Sequence, residues 1–182
     1  TVGEVDLLEQ ALLNGRGDPA AGRLDVLLQR VAETLGLARP GAIVSAACAS
    51  SSMALALGAS LIRSGREANI IVVACDAVSE FVMAGFSSLM ALAPEPSRPF
   101  DRRRQGLSLG EAASWCWLQA APAGKRPAAM RGCLRGWSCR ADAHHMTAPD
   151  PQGEGLAAAI GDALRMAGAA PSELGAVCAH GT

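Results

Sequence analysis

The chain lacks tyrosine altogether and has few other aromatic residues. Phe and Trp each occur three times in 182 residues, so aromatics make up 3%. Half of the residues are hydrophobic, so a core must be built from Ala, Val, Leu, Ile and Met, whose small side chains let helices and strands approach closely. The composition predicts one layered α/β domain with a sizeable core.

An excess of charge of one sign is also lacking. The chain has 16 Lys and Arg against 17 Asp and Glu, for a net charge of -1. Such a balance supplies no field that would attract nucleic acid or an anionic membrane. We interpret the local run Arg102–Arg104 as a solvated loop. Neither nucleic acid nor a membrane is expected as a partner.

Long apolar runs and targeting signals are missing as well. No stretch reaches the ~18 apolar residues of a membrane span, and the acidic start TVGEVDLLEQ has no basic segment of a secretory signal. The six cysteines are therefore expected to be reduced thiols in a cytoplasmic protein. No Walker-type or dinucleotide-type glycine loop is present, and we expect no cofactor.

One group of residues invites comparison with zinc ligands: Cys133, Cys139, His144 and His145. Their spacing departs from the common zinc patterns, and adjacent histidines rarely point at one ion. We therefore expect no metal site.

Local patterns predict the elements of an α/β protein. Apolar spacing of three and four predicts helices at residues 4–13, 24–37, 49–63, 81–92 and 155–169. Apolar runs next to turns predict strands at residues 42–47, 70–78, 111–118, 128–140 and 174–180. The strand at 70–78 is expected to be covered on both faces. With the helix and strand before it, this strand predicts a right-handed βαβ unit.

Cys48 is the first candidate for chemistry, because it lies where a predicted strand turns into a helix. The free backbone N–H groups and positive dipole end of a helix N-terminus favour thiolate over thiol. The same N–H groups can bind the oxyanion that forms when a thioester is attacked. On spacing alone, a buried structural cysteine is the alternative.

His180 is the second candidate. It follows a predicted strand and precedes Gly181, and open α/β sheets place their sites at strand ends. A neutral imidazole there can donate to a developing enolate or steer a proton. A structural histidine is the alternative, and only the fold can bring His180 near Cys48.

Four ordered motifs carry a family resemblance. SAACASSSMALALGASLIRSG, around Cys48, resembles the nucleophile segment of β-ketoacyl synthases. RPFDRRRQGLSLGEAA resembles the R-P-F-D loop of that family with the G-E-(A/G)-A that follows it. ADAHHMTAPDPQGEG resembles its H-M-T-(A/S)-P loop, and CAHGT its (E/A)-A-H-G-T motif. The chain is identified as a member of this group of thiolase-fold condensing enzymes.

The resemblance implies a thiolase-like α/β fold, which has α-β-α-β-α layers in the full family and is incomplete here. Residues 1–121 would be most of the N-terminal half with the nucleophile elbow, and residues 122–182 the start of the C-terminal half. The family's second catalytic histidine, a nearby lysine and an oxyanion loop lie downstream of H-G-T. We therefore expect this chain to be a piece of a longer enzyme.

The resemblance also implies an activity, the decarboxylative Claisen condensation of an acyl-enzyme thioester with malonyl-acyl carrier protein. Cys48 would hold the acyl group, His180 would assist decarboxylation and stabilise the enolate, and Thr147 would lie near the pantetheine arm. The pathway would be fatty acid or polyketide-type synthesis. The partners would be acyl carrier protein and a second subunit, as a homodimer or ketosynthase heterodimer that pairs near Ile70–Ala74.

Two other functions stay open. The chain can be a non-catalytic or truncated ketosynthase-like partner subunit, although the chain length factors of this fold lack the nucleophilic cysteine. It can also be a thiolase that acts on acyl-coenzyme A, although the RPFD, HMTAP and AHGT set resembles the carrier-dependent branch.

Overall fold

A computed structural model describes residues 5–121, 128–145 and 148–181. Its helices and strands are α1 (Val5–Asn14), α2 (Leu24–Thr34), α3 (Ser50–Arg63), β1 (Asn69–Asp76), α4 (Glu80–Ser88), β2 (Ala112–Gln119) and α5 (Glu154–Ala167). Short 3-10 helices span Pro19–Gly22 and Pro171–Glu173. In these ranges β1 and β2 form a two-stranded sheet. The predicted helices and these two strands are confirmed, although α2, α4 and α5 end earlier than predicted.

Local polar contacts explain why the helices begin where they do. The Ser79 hydroxyl caps α4 by accepting a hydrogen bond from the backbone N–H of Val82 at 3.2 Å. The Asp150 carboxylate accepts from the backbone N–H of Glu154 at the start of α5, at 3.0 Å. Because caps and backbone hydrogen bonds of a helix lie within one short stretch of chain, the sequence pattern alone locates the helix.

Three predicted strands are wrong. Residues 42–47, 128–140 and 174–180 are irregular, and the first of these runs has only an isolated bridge between Ala46 and Cys48. An apolar run becomes a strand only when a neighbouring strand pairs with it. Across the described residues, β1 and β2 alone have such a neighbour. The predicted βαβ unit is wrong for the same reason, because its first strand does not form.

The prediction that β1 is covered on both faces is also wrong. Its Val72 is buried, but Val73 is 42% exposed. On β2, Trp115 and Trp117 point to the same side of the strand and are 71% and 60% exposed. Val73 on β1 and both tryptophans on β2 are thus left exposed.

The sizeable core predicted from composition does not form among the described residues. Among the described residues, the buried apolar side chains are Ala32, Ala56 and Val72. The accessible surface is 13724 Å², whereas a folded monomer of 18.6 kDa exposes about 8,200 Å². Many large apolar side chains of the described residues are exposed instead.

The chain divides into two compact units. The first contains residues up to Ala54, Val72–Cys116 and the residues from Ala179 onward. Within it, α1 contacts the Pro19–Gly22 turn and α4. The Glu111 carboxylate accepts from the backbone N–H of Val78 at 2.8 Å, so the segment leading into α4 is held by a side chain distant in sequence.

The second unit contains Leu55–Ile71 and Trp117–Cys178. In it, the Asp162 carboxylate on α5 accepts hydrogen bonds from Arg140 Nε at 2.8 Å and from Ser138 Oγ at 3.4 Å. The hydrogen bond from Arg140 is the largest cause of the lowered pKa of Asp162. None of the helices in the described ranges has the length and apolar character that crossing a bilayer requires.

Candidate functional site

Cys48 lies on a tight turn that leads directly into α3. Its side chain is exposed, and Ala47 before it has φ +48°, in the left-handed region. The backbone folds back on itself, because Ala49 N donates to Ala46 O at 3.0 Å and Ser50 N donates to Ala47 O at 3.1 Å. The thiol is thereby presented at the N-terminus of a helix, where backbone N–H groups lack intrahelical partners.

The Ser50 hydroxyl holds this turn together. It accepts a hydrogen bond from Ala46 N at 2.8 Å and donates one to Ala47 O at 2.6 Å, and Ser50 is 8% exposed. Sequence reasoning missed this role. A serine at a helix start is a signal for such a bond, but Ser51 and Ser52 share that signal.

His180 is exposed and lies on irregular backbone, not at the end of a strand as predicted. Its neighbour Gly181 has φ +81°. A Cβ built on Gly181 would lie 3.1 Å from Pro99 Cβ and 3.5 Å from Phe100 Cε2. The R-P-F-D loop therefore lies against the H-G-T motif. Sequence reasoning quoted both motifs but missed their contact, because nothing local links residues so far apart in the chain.

The predicted site residues do not all lie in one compact unit of the structure. Cys48 and His180 belong to the same compact unit. Thr147 lies outside the described residues. Cys133 and Cys139 are exposed free thiols in the other unit. Within the described ranges, His, Cys, Asp and Glu side chains do not gather in any group of three or more that could hold a metal ion.

Comparison with solved structures identifies the fold. One chain in the structure of the ketosynthase ApeO in complex with its chain length factor ApeC, from Xenorhabdus doucetiae, is similar to 99% of the present chain over 46% of its own length. The TM-score is 0.87 and the sequence identity is 33%. The chain thus has the thiolase-like α/β fold of the ketosynthases, in an incomplete form.

Comparison of sequences identifies the family. Residues 20–123 match the model of the β-ketoacyl synthase N-terminal domain, and residues 131–182 that of the C-terminal domain. The chain belongs to the β-ketoacyl synthase family, which confirms the assignment made from its four motifs.

Two curated relatives illustrate the range of this family. The oxytetracycline polyketide putative β-ketoacyl synthase 1 of Streptomyces rimosus is 38% identical over 79% of this chain and 36% of its own length. The 3-oxoacyl-[acyl-carrier-protein] synthase 2 of Coxiella burnetii is 38% identical over 55% of this chain and 26% of its own length. The chain thus spans about a quarter to a third of the length of these two relatives.

Proposed function

We propose that the protein containing this chain is a β-ketoacyl synthase with Cys48 as its nucleophile. It would condense an acyl-enzyme thioester with malonyl-acyl carrier protein, releasing carbon dioxide, in fatty acid or polyketide-type synthesis. The observation that carries this proposal is the exposed thiol of Cys48 on a hydrogen-bonded turn at the start of α3. The relatives named as polyketide and 3-oxoacyl synthases support it.

In the first half-reaction, Cys48 Sγ attacks the carbonyl carbon of an acyl carrier thioester. The carbonyl oxygen becomes an oxyanion, which the backbone N–H of Cys48 would stabilise. The bond to the pantetheine sulfur then breaks, and the acyl group remains on Cys48 as a new thioester. The position of Cys48 at a helix N-terminus supports this step, because the helix dipole stabilises negative charge there.

In the second half-reaction, malonyl-carrier loses carbon dioxide, and the electron pair of the broken C–C bond forms an enolate. His180 would donate a hydrogen bond to the enolate oxygen. The enolate carbon attacks the acyl carbonyl, the C–S bond to Cys48 breaks, and the thiolate is restored. The exposure of His180 and its place in the same compact unit as Cys48 support this role. The H-M-T-A-P motif supports Thr147 as a neighbour of the pantetheine arm.

The partners would be acyl carrier protein and a second subunit, either a copy of this protein or a ketosynthase-type partner. The Xenorhabdus ketosynthase is in complex with a chain length factor, which supports the second arrangement. In the described residues β1 has a hydrogen-bonded neighbour on one side only, so the segment Ile70–Ala74 could extend its sheet across a subunit interface.

We further propose that residues 1–121 are most of the N-terminal half of the whole enzyme and that residues 122–182 begin its C-terminal half. The two family models, which match residues 20–123 and 131–182, support this division. A cytoplasmic location is proposed because six free thiols suit a reducing compartment.

The test is intact-protein mass, measured on the protein as it occurs in its source with any subunit that accompanies it. An acyl carrier thioester should add the mass of its acyl group to the native protein and to a Cys133→Ala control, which removes another exposed thiol. The adduct should be absent from Cys48→Ala. A native protein that forms no adduct would favour the non-catalytic partner, and transfer from acyl-coenzyme A but not from the carrier would favour a thiolase.

A further inference from the structure

The loop that carries the R-P-F-D motif is fixed at its base. Ala93 N donates to Leu107 O and Leu107 N donates to Ala91 O, both at 2.9 Å. Gly106, which directly precedes Leu107, has φ +136°, and a Cβ built on it would lie 2.6 Å from Ala91 O. Only glycine fits this close approach. The two ends of the loop are therefore joined tightly.

The tip of the loop is fixed as well. Asp101 N donates to Arg98 O at 3.1 Å, and the Asp101 carboxylate accepts from Arg103 N at 2.7 Å. Phe100 sits in this turn with φ +64°, a conformation that is costly for a residue with a Cβ. Yet the Phe100 side chain is 72% exposed, so burial does not repay that cost. Residues held in strained backbone conformations cluster at functional sites.

We propose that Phe100, together with Pro99, is a positioning residue for His180 and acts through Gly181. The ring of Phe100 lies 3.5 Å from the position that a Cβ on Gly181 would occupy, and Gly181 shares a peptide bond with His180. A shift of Gly181 must therefore move the backbone that carries the imidazole. This inference rests on the proposed role of His180, and it assigns to the R-P-F-D loop the alignment of that residue with the malonyl group.

The physical consequence differs between the two half-reactions. Acyl transfer to Cys48 depends on the turn before α3, which Phe100 does not help to form. Decarboxylation depends on the hydrogen bond from His180 to the enolate, and a misplacement of about 1 Å can slow a reaction about 100-fold. Loss of Phe100 should therefore slow decarboxylation and spare acylation.

The experiment compares Phe100→Ala, Phe100→Leu and the matched control Phe81→Ala, which removes another exposed phenylalanine from the same unit. Carbon dioxide release from malonyl-carrier is measured at saturating substrate, and acylation of Cys48 is followed by mass. Phe100→Ala should slow carbon dioxide release roughly 10- to 100-fold while acylation stays within about twofold. Phe100→Leu, which keeps apolar bulk against Gly181, should recover most of the rate, and Phe81→Ala should alter neither reaction.

A second pair of variants probes the other side of the contact. Gly181→Ala places a Cβ against Pro99 on backbone with positive φ and should also slow carbon dioxide release, whereas Gly175→Ala, in open space, should not. Equal loss of both half-reactions in Phe100→Ala, or no loss of either, would overturn the positioning role. If His180→Ala itself left carbon dioxide release unchanged, the proposed function of His180 would fail first, so the two failures are distinguishable.

Discussion

The substitution Ser50→Ala tests how the nucleophile is held. Ser50 Oγ makes both side-chain hydrogen bonds across the turn, one from Ala46 N and one to Ala47 O, and the residue is 8% exposed. Alanine preserves the helix start but removes both bonds. Because Cys48 lies between these backbone groups and α3, the position of its thiol should become less well defined.

The free energy that the turn loses in Ser50→Ala follows from the two hydrogen bonds that the substitution removes. Each hydrogen bond of this kind contributes about 0.5–1.5 kcal/mol net, so the turn should lose about 1–3 kcal/mol. If the turn loses this stabilisation in the geometry from which Cys48 reacts, acylation of Cys48 should slow by about 5- to 150-fold, because about 1.4 kcal/mol corresponds to a factor of ten in rate.

The assay is the rate at which the peptide containing Cys48 gains the acyl mass from a carrier thioester, which separates this thiol from the other five exposed cysteines. Ser51→Ala is the matched control, since Ser51 is an exposed serine in the same helical turn. Circular dichroism at the assay temperature ensures that each variant is folded. A rate for Ser50→Ala within twofold of native, or an equal loss in Ser51→Ala, would refute the reasoning.

Three further predictions concern stability, measured by urea unfolding. Gly106→Ala should lower the free energy of unfolding by about 2–4 kcal/mol, because its Cβ would meet backbone on a positive-φ residue, whereas Gly110→Ala, in open space, should be nearly neutral. Ser79→Ala should cost about 1 kcal/mol through loss of the α4 cap, and the exposed Ser87→Ala should cost much less. The hydrogen bond from Arg140 lowers the pKa of Asp162. The native protein should therefore be more stable than Asp162→Asn above pH 3.8, the ordinary pKa of an aspartate, and this advantage should disappear as the pH falls through the lowered pKa. An advantage that is unchanged at acid pH would contradict this.

The accuracy of the sequence-based predictions follows the range of the interactions involved. The helix predicted at 49–63 is observed at Ser50–Arg63, since a helix is stabilised by contacts within four residues. The strand predicted at 42–47 does not form, because a strand depends on a neighbour that its own residues do not specify. Similarly, the apolar pattern of β2 identified a strand but did not indicate that Trp115 would be exposed.

The candidate site shows the same division. The sequence by itself determined the family, the thiolase-like fold class and the choice of Cys48 and His180 as candidates, because short motifs preserve the chemistry of the residues within them. Only the tertiary structure decided that the Ser50 hydroxyl closes the turn around Cys48 and that Phe100 lies against Gly181. The Ser50 bonds are local, but three consecutive serines share the same sequence signal, so the pattern does not say which of them forms the bonds. The meeting of Phe100 and Gly181 depends on where the backbone travels in space, and no local pattern encodes it.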